Sequence, residues 1–269
     1  MSMHKALTIA GSDTSGGAGI QADLKTFQER DVYGMTVLTT IVTMDPANNW
    51  HHGVHPVALP TIEAQLQTVL GGIGVDALKT GMLGSVEIIE LVTHTIKKQG
   101  LSRIVIDPVM VCKGNDEALH PETTVALREL LVPVADVVTP NLFEAAQLAD
   151  RAPIKTLDDM KDAAQTIHAS GAKYVLIKGG AKLDHPTAID LLYDGQTFEL
   201  YESEKIATTY THGAGCTYSA AITAELAKGS DVKQAVSTAK AFIMSAIQHG
   251  FPINSFVGPT MHSAYRKYQ

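Results

Sequence analysis

The chain predicts an α/β fold, with a mostly parallel central sheet, helices on both faces and an antiparallel hairpin extending one edge. Three features carry that expectation. Short β-branched runs alternate with longer amphipathic ones through most of the 269 residues. Two long helical stretches close the chain, and Asp194-Gly195 sits between two strand-like runs.

The elements follow in order. Residues 6–10 read as a buried strand and 19–30 as the helix after it. Residues 36–43 (Thr-Val-Leu-Thr-Thr-Ile-Val-Thr) form the clearest strand by β-branched content. A helix is expected over 59–70, with Thr61 as a candidate cap followed by Glu63, and a short strand over 75–80. Residues 85–99 form a helix closed by Gly100, with Lys97 and Lys98 in its last turn. A buried strand covers 103–109, and a helix over 121–131 begins on a proline. Then come strand 136–139, helix 142–148, helix 158–169 and strand 174–178. The hairpin pairs 189–193 with 197–201, and helices 215–228 and 232–249 stop at Gly229 and Gly250. No internal repeat or linker rich in proline and serine divides the chain, so 1–269 is expected to form one domain.

Composition narrows the function. Lys plus Arg number 21 against 28 Asp plus Glu, a formal charge of −7, which argues against nucleic-acid or membrane-surface partners that need clustered positive charge. No run approaches the roughly 18 apolar residues of a spanning helix, and the start of the chain lacks a signal-peptide core. Two cysteines, Cys112 and Cys216, are too few for a disulfide framework and fit a reducing cytoplasm.

Three glycine-rich places compete as phosphate sites. In Gly16-Gly17-Ala18-Gly19-Ile20-Gln21-Ala22, residues Gly17, Gly19 and Ala22 satisfy the dinucleotide pattern. The six residues between strand and Gly17, and the flanking Asp13 and Asp23, suit a neutral hydroxyl- or amine-bearing ligand better than a pyrophosphate. Thr211-His212-Gly213-Ala214-Gly215-Cys216-Thr217 precedes a long apolar helix, where small residues free backbone N–H groups to converge on an anion. Cys216 at that positive end is expected to shift toward thiolate, as a base or nucleophile would. Lys178-Gly179-Gly180, at a strand end, offers a lysine and open backbone to a phosphate.

Other chemistries lack their motifs: there is no Walker pattern, no C-x-x-C, no H-E-x-x-H and no G-x-S-x-G. His51, His52 and His55 read as a solvated turn. Asp107 ends a buried strand, and Asn141 and Glu144 follow the next one at i, i+3 spacing. Such oxygen ligands at strand ends suit hydrated Mg²⁺ bridged to phosphates. Glu144 also fits a plain first-turn carboxylate.

These segments together resemble the ribokinase-like superfamily and its branch of vitamin kinases. The run from Ala10 to Phe27, Lys79-Thr80-Gly81-Met82-Leu83, Asp107-Pro108-Val109-Met110, Thr139-Pro140-Asn141-Leu142-Phe143-Glu144-Ala145 and His212-Gly213-Ala214-Gly215-Cys216-Thr217 look like hydroxymethylpyrimidine/phosphomethylpyrimidine kinases. Two places lean toward the branch's pyridoxine/pyridoxal kinases. Met44 stands where the pyrimidine kinases usually carry Gln, and Val109-Met110-Val111-Cys112-Lys113-Gly114 resembles the lid of vitamin B6 members.

The resemblance implies a three-layer sandwich with a mobile lid near 110–120, and ATP-dependent phosphorylation of the hydroxymethyl group of pyridoxal, pyridoxine and pyridoxamine. The alternative is the pyrimidine kinase of thiamine synthesis, or both activities. It also implies roles. Gly213, Ala214 and Gly215 form the anion hole, and Cys216 accepts the hydroxymethyl proton. Asp23, Gly19, Met44, Met82 and Cys112 contact the substrate. Asn141, Asp107 and Glu144 organise Mg²⁺–ATP, Lys178, Gly179 and Gly180 meet its phosphates, and Thr211 and Lys240 flank the nucleotide. A homodimer is the expected assembly. A nicotinamide dehydrogenase, supported by the Gly17–Ala22 pattern alone, and a vitamin sensor are the readings from other classes.

Overall fold

Extended runs of two to thirteen residues pair edge to edge into a sheet, and most of the stretches between them cross back as helices. The computed structural model describes residues 3–110 and 121–268. Its first half runs β1 (Lys5–Asp13), α1 (Gly19–Glu29), β2 (Tyr33–Asp45), β3 (His51–Pro56), α2 (Leu59–Leu66), β4 (Ala77–Thr80), α3 (Val86–Gln99) and β5 (Ile104–Ile106). There follow α4 (Pro121–Ala126), β6 (Val137–Val138), α5 (Leu142–Leu148), α6 (Leu157–Ala169), β7 (Tyr174–Gly180), β8 (Ala188–Tyr193) and β9 (Phe198–Ser203). Three helices end the chain: α7 (Ala214–Ala227), α8 (Val232–Gln248) and α9 (Ala264–Tyr268).

Among the described residues the sheet has the order β3-β2-β1-β4-β5-β6-β7-β8-β9. Neighbours from β2 through β7 pair in parallel, while β3 on one edge and β8–β9 on the other pair antiparallel. The alternation of each strand sorts the core into two layers. Leu7, Ile9, Leu78, Ile104, Ile106, Val138 and Ile177 face α2–α6, and Ala6, Ala77, Val105, Val137 and Leu176 face α1, α7 and α8. Helix α7 is buried on all sides from Thr217 to Ala227, as a central helix must be when apolar all round.

Local chemistry sets most boundaries. Ser85 caps α3 by accepting from Ile88 N, and Gly100 ends it in the left-handed region at φ 59°. The cap of α2 is not Thr61 but the backbone at Ala58, with Pro60 in the first turn, and no side chain bonds there. Beyond Leu66 the helix widens into a π turn over Gln67–Ile73, which contains Gly71 and Gly72. The helix beginning at Pro121 likewise widens over Leu127–Leu131 before Pro133, whose nitrogen cannot donate.

Two further expectations are corrected. The run 103–109 is a strand only at Ile104–Ile106, because the chain turns at Asp107-Pro108. The histidine-rich loop is instead strand β3, an edge ribbon on β2. Its polar sequence carries no apolar period because most of it faces solvent. The turn into β3 uses left-handed Asn49 and Trp50, with Trp50 N donating to Asp45 O at 2.9 Å. The short α9 was not expected. Cys112 and the lid beyond Met110 lie outside the described residues.

A buried imidazole ties the C-terminal segment to α7: His262, 8% exposed, has Nε2 3.0 Å from Thr217 Oγ1. Burial pushes its pKa down to about 4. Between pH 6.5 and 4 the unfolded chain therefore binds a proton that the folded chain does not, so stability is lost as pH falls through that window. Urea melts at pH 7 and pH 4.5 should show up to about 3 kcal/mol less acid destabilisation in His262→Gln than in the parent. Equal acid sensitivity would remove His262 from the account.

Candidate active site

The chain leaves β1 for β2 on one side and returns to β4 on the other, so a crevice opens outside the carboxyl ends of β1 and β4. Into it come the 11–19 loop after β1, Gly81-Met82 after β4, Asp107 after β5, Asn141 after β6 and Lys178 near the end of β7. Helix α7 packs on α1, β1, β4 and β5, bringing its N-terminus to the same place.

Two buried ion pairs floor the crevice. Lys79 Nζ lies 2.9 Å from both oxygens of Asp23, and Thr8 Oγ1 donates to Asp23 Oδ2 at 2.6 Å; both side chains of the pair are 0% exposed. Burial alone would depress the Lys79 ammonium, but Asp23 beside it and Asp107 beyond hold its pKa above the ordinary value. The second pair is Lys178 Nζ to Asp107 Oδ1 at 2.9 Å, with Ser219 Oγ donating to Asp107 Oδ2 at 3.1 Å. Burial opposes the charge on Asp107, yet Lys178 and Lys79 keep its pKa below the usual carboxylate value.

This geometry corrects the role expected of Asp23. Its carboxylate is sealed inside by Lys79 and Thr8 and presents no surface to a ligand. It acts as the counter-ion of Lys79 beneath the site.

Above the floor, the loops 16–19 and 213–215 touch backbone to backbone. Gly213 has φ 77°, and any side chain there would collide with the carbonyl of Gly17. Gly215 faces Lys178: a side chain on it would meet the Lys178 ammonium at 3.5 Å. The N–H groups of Gly215 and Cys216, in the first turn of α7, are among those a helix cannot satisfy internally. Ala214 differs from expectation, since its N–H donates to Thr211 O at 3.1 Å.

Cys216 sits at this helix end, half-buried, with the Gly19 N–H donating to its sulfur. The expected shift toward thiolate is overturned. Burial, with Asp23 and Asp107 nearby, pushes the thiol up to about 12 against the pull of Lys79.

Asn141 and Glu144 form a capping box on α5: Glu144 N donates to Asn141 Oδ1 at 3.0 Å and Asn141 N to Glu144 Oε2 at 2.8 Å. Glu144 is 4% exposed, and burial raises its pKa to about 7 against the pull of Lys178. Gly180 N points at Asp190 Oδ1 (3.4 Å) where β7 bulges against β8. Lys240 stands apart from the crevice floor: its ammonium is buried 2.7 Å from Asp190 Oδ2, which places it behind the Gly179-Gly180 backbone and not at an open flank. Thr211 is exposed just before the anion loop. Met82 is half-buried after β4, with Thr39 Oγ1 bonded to its carbonyl, and Met44 lies on the part of β2 that runs past the end of β1.

Lys79, Ser219 and the Asp13–His212 contact (2.7 Å) were not singled out from the sequence. A lysine inside the apolar run Ala77-Leu78-Lys79-Thr80 was the available signal, because a charge in a fully buried strand needs a partner. Removing that charge tests the floor. Lys79→Met should cost about 3–5 kcal/mol in urea unfolding by stranding Asp23, and the double variant Lys79→Met/Asp23→Leu should recover more than half of the loss.

Comparison with known proteins points one way. Residues 13–261 match the family described as phosphomethylpyrimidine kinase. The chain is 65% identical to a pyridoxine kinase of Bacillus subtilis over 99% of its length and 98% of the relative's. It is 43% identical to a hydroxymethylpyrimidine/phosphomethylpyrimidine kinase of the same organism, over 99% of this chain and 97% of that one. The pyridoxal kinase of Staphylococcus aureus, solved in complex with AMP-PCP and pyridoxal, superposes with a TM-score of 0.94 at 50% identity, covering 100% of this chain and 97% of the other.

Proposed function

Because the chain belongs to the phosphomethylpyrimidine kinase family, we propose that it transfers the γ-phosphoryl group of ATP to the hydroxymethyl group of pyridoxal, pyridoxine and pyridoxamine, in salvage of pyridoxal phosphate. One observation carries the reading. The Lys178 ammonium, held by Asp107, faces Gly215 at the open N-terminus of α7. A cation and unsatisfied N–H groups at one point are what a phosphoryl group in flight requires.

In the proposed mechanism the N–H groups of Gly213, Gly215 and Cys216 take up charge on the transferring oxygens, and Lys178 neutralises it. Gly179 and Gly180 let the remaining phosphates approach the strand end, and Thr211 borders the nucleotide. Gly19, Met44 and Met82 border the substrate ring. In a loose transition state the hydroxyl proton leaves late, to an oxygen of the arriving phosphoryl group as its bond to ADP breaks, so Cys216, neutral because of its burial, serves by orienting the hydroxymethyl oxygen.

The donor set fits Mg²⁺. Glu144 is a buried carboxylate whose pKa of about 7 a neighbouring cation would lower, and Asp107 lies close enough to act on it electrostatically. No cluster of three or more His, Cys, Asp or Glu occurs among the described residues. That suits a hydrated ion shared with phosphates better than one caged by protein. Glu144 and Asp107 would hold it, and bound there it would neutralise phosphate charge. Beyond the site, we place the enzyme in the cytoplasm, where ATP is made available and Cys216 stays reduced. Pairing of two copies is proposed through the β2–β3 ribbon, which exposes Ile41 and Val54 beside an open strand edge.

A second reading, hydroxymethylpyrimidine kinase, draws on the 43% relative. Met44 favours the pyridines, because a thioether leaves an aminopyrimidine edge unpaired at a cost of about 1–3 kcal/mol. ATP consumption with Mg²⁺ should therefore be fast with pyridoxal and pyridoxine and slow with hydroxymethylpyrimidine. Met44→Gln should narrow the gap by about tenfold or more. Preference of the parent for the pyrimidine would reverse the assignment.

Cys216→Ser should keep kcat within about tenfold of the parent, as a hydroxyl orients the substrate comparably. A loss beyond about 100-fold, the scale of a lost general base, would restore the thiolate. Glu144→Gln should raise the Mg²⁺ concentration needed for half-maximal rate by about tenfold, read from Mg²⁺ titrations at saturating ATP.

A further inference from the structure

The contact between Asp13 and His212 joins the two glycine loops of the site. Asp13 is the last residue of β1 and 5% exposed; His212 immediately precedes Gly213 and is 7% exposed. Asp13 Oδ2 receives His212 Nε2 at 2.7 Å, Ala18 N at 2.8 Å and Ser15 Oγ at 2.8 Å, while Oδ1 accepts from Ser15 N at 2.9 Å. One carboxylate at a rigid strand end thus fixes both the 15–18 loop and the side chain that leads into the anion hole. Burial would raise its pKa, but His212 and both donors of Ser15 outweigh it, and Asp13 stays far below the ordinary carboxylate value.

The backbone of His212 is held from the other side. Its N–H donates to Gly258 O at 3.0 Å, and Thr260 N donates to its carbonyl at 3.3 Å. The next residue, Gly213, rests against the Gly17 carbonyl. Moving the His212 side chain would therefore shift Gly213–Gly215 against Gly17–Gly19, changing where the donor N–H groups lie relative to Cys216.

We propose that Asp13 and His212 are a positioning pair that sets the anion-hole backbone for phosphoryl transfer. Neither side chain touches the reacting atoms in this account. The role rests on the kinase reading, and it goes beyond it by assigning the register of the two loops to one hydrogen bond. A displacement of about 1 Å in such a site costs about 100-fold in rate. Ground-state nucleotide binding, which draws on many contacts, should barely change.

The test compares the parent with Asp13→Asn, His212→Ala and His212→Gln. For each, kcat and the KM for ATP are measured with pyridoxine and Mg²⁺. Dissociation constants are measured for AMP-PCP and for ADP with aluminium fluoride, a mimic of the planar phosphoryl group. In Asp13→Asn and His212→Ala, kcat and affinity for the fluoride complex should each fall about 100-fold. KM for ATP and AMP-PCP affinity should stay within about threefold.

His212→Gln, whose Nε2 reaches nearly the position of the imidazole Nε2, should recover at least about tenfold of the lost kcat. Parallel weakening of AMP-PCP and the fluoride complex, or an unchanged kcat, overturns the positioning role. The parent separates the two levels of inference. If it binds the fluoride complex no more tightly than AMP-PCP, the anion-hole reading fails and the pair's role falls with it.

Discussion

Everything in the crevice depends on keeping Lys178 charged inside protein. Removing an ion from water costs several kcal/mol, and the chain meets that cost with Asp107, which also takes the Ser219 hydroxyl. A second pair, Asp23 with Lys79, lies beneath α7 and keeps the buried cluster close to neutral. The opposed charges explain why Cys216 is not a thiolate. Another anion there would disturb a balance already set by Asp23 and Asp107, and desolvation outweighs the pull of Lys79.

Such an arrangement requires α7 to come close to the strand ends, and small residues allow it. Ala220, Ala221, Ala224 and Ala227 line the helix, and Ala6 and Ala77 face it from the sheet. The opposite face of the same sheet is filled by Leu and Ile against α2–α6. Asymmetry between the two core layers thus lets one buried helix present its N-terminus where β1 and β4 diverge. The sheet supplies position, and the charged floor supplies electrostatics.

Period and caps made most of the fold legible. Gly100, Ser85 and the Asp194-Gly195 turn act through local chemistry that a sequence displays directly. Strand β3 was hidden because His-His-Gly-Val-His-Pro has no buried face to impose a pattern. In the site, residue types and glycine spacing pointed to loops that the fold brings together at one crevice, but burial decides what a carboxylate or thiol does there. Asp23 lies in a polar motif yet is sealed by Lys79, a partner distant in sequence, and burial raises the Cys216 thiol where the helix end alone suggested a thiolate. Lys240 followed the same course, its partner Asp190 being fifty residues away.

Glu144 allows the structural and functional explanations to be weighed inside one molecule, because two capping boxes occur among the described residues. In α6, Thr156 and Asp159 form the same reciprocal bonds near the surface. There the backbone N–H groups of Lys155 and Thr156 lower the Asp159 pKa, as a cap requires. In α5 the identical bonding is present, yet burial raises Glu144 to about 7, with Lys178 and Asp107 as its charged neighbours. A cap does not need that burial, and near-neutral protonation weakens the helix-dipole contribution that a first-turn carboxylate would otherwise make. Helix initiation therefore accounts for Asn141 and Glu144 as a pair, but not for where the pair is placed. Under the proposed function the placement beside Lys178 serves phosphate binding, and a cation there would return to Glu144 the charge that burial removes.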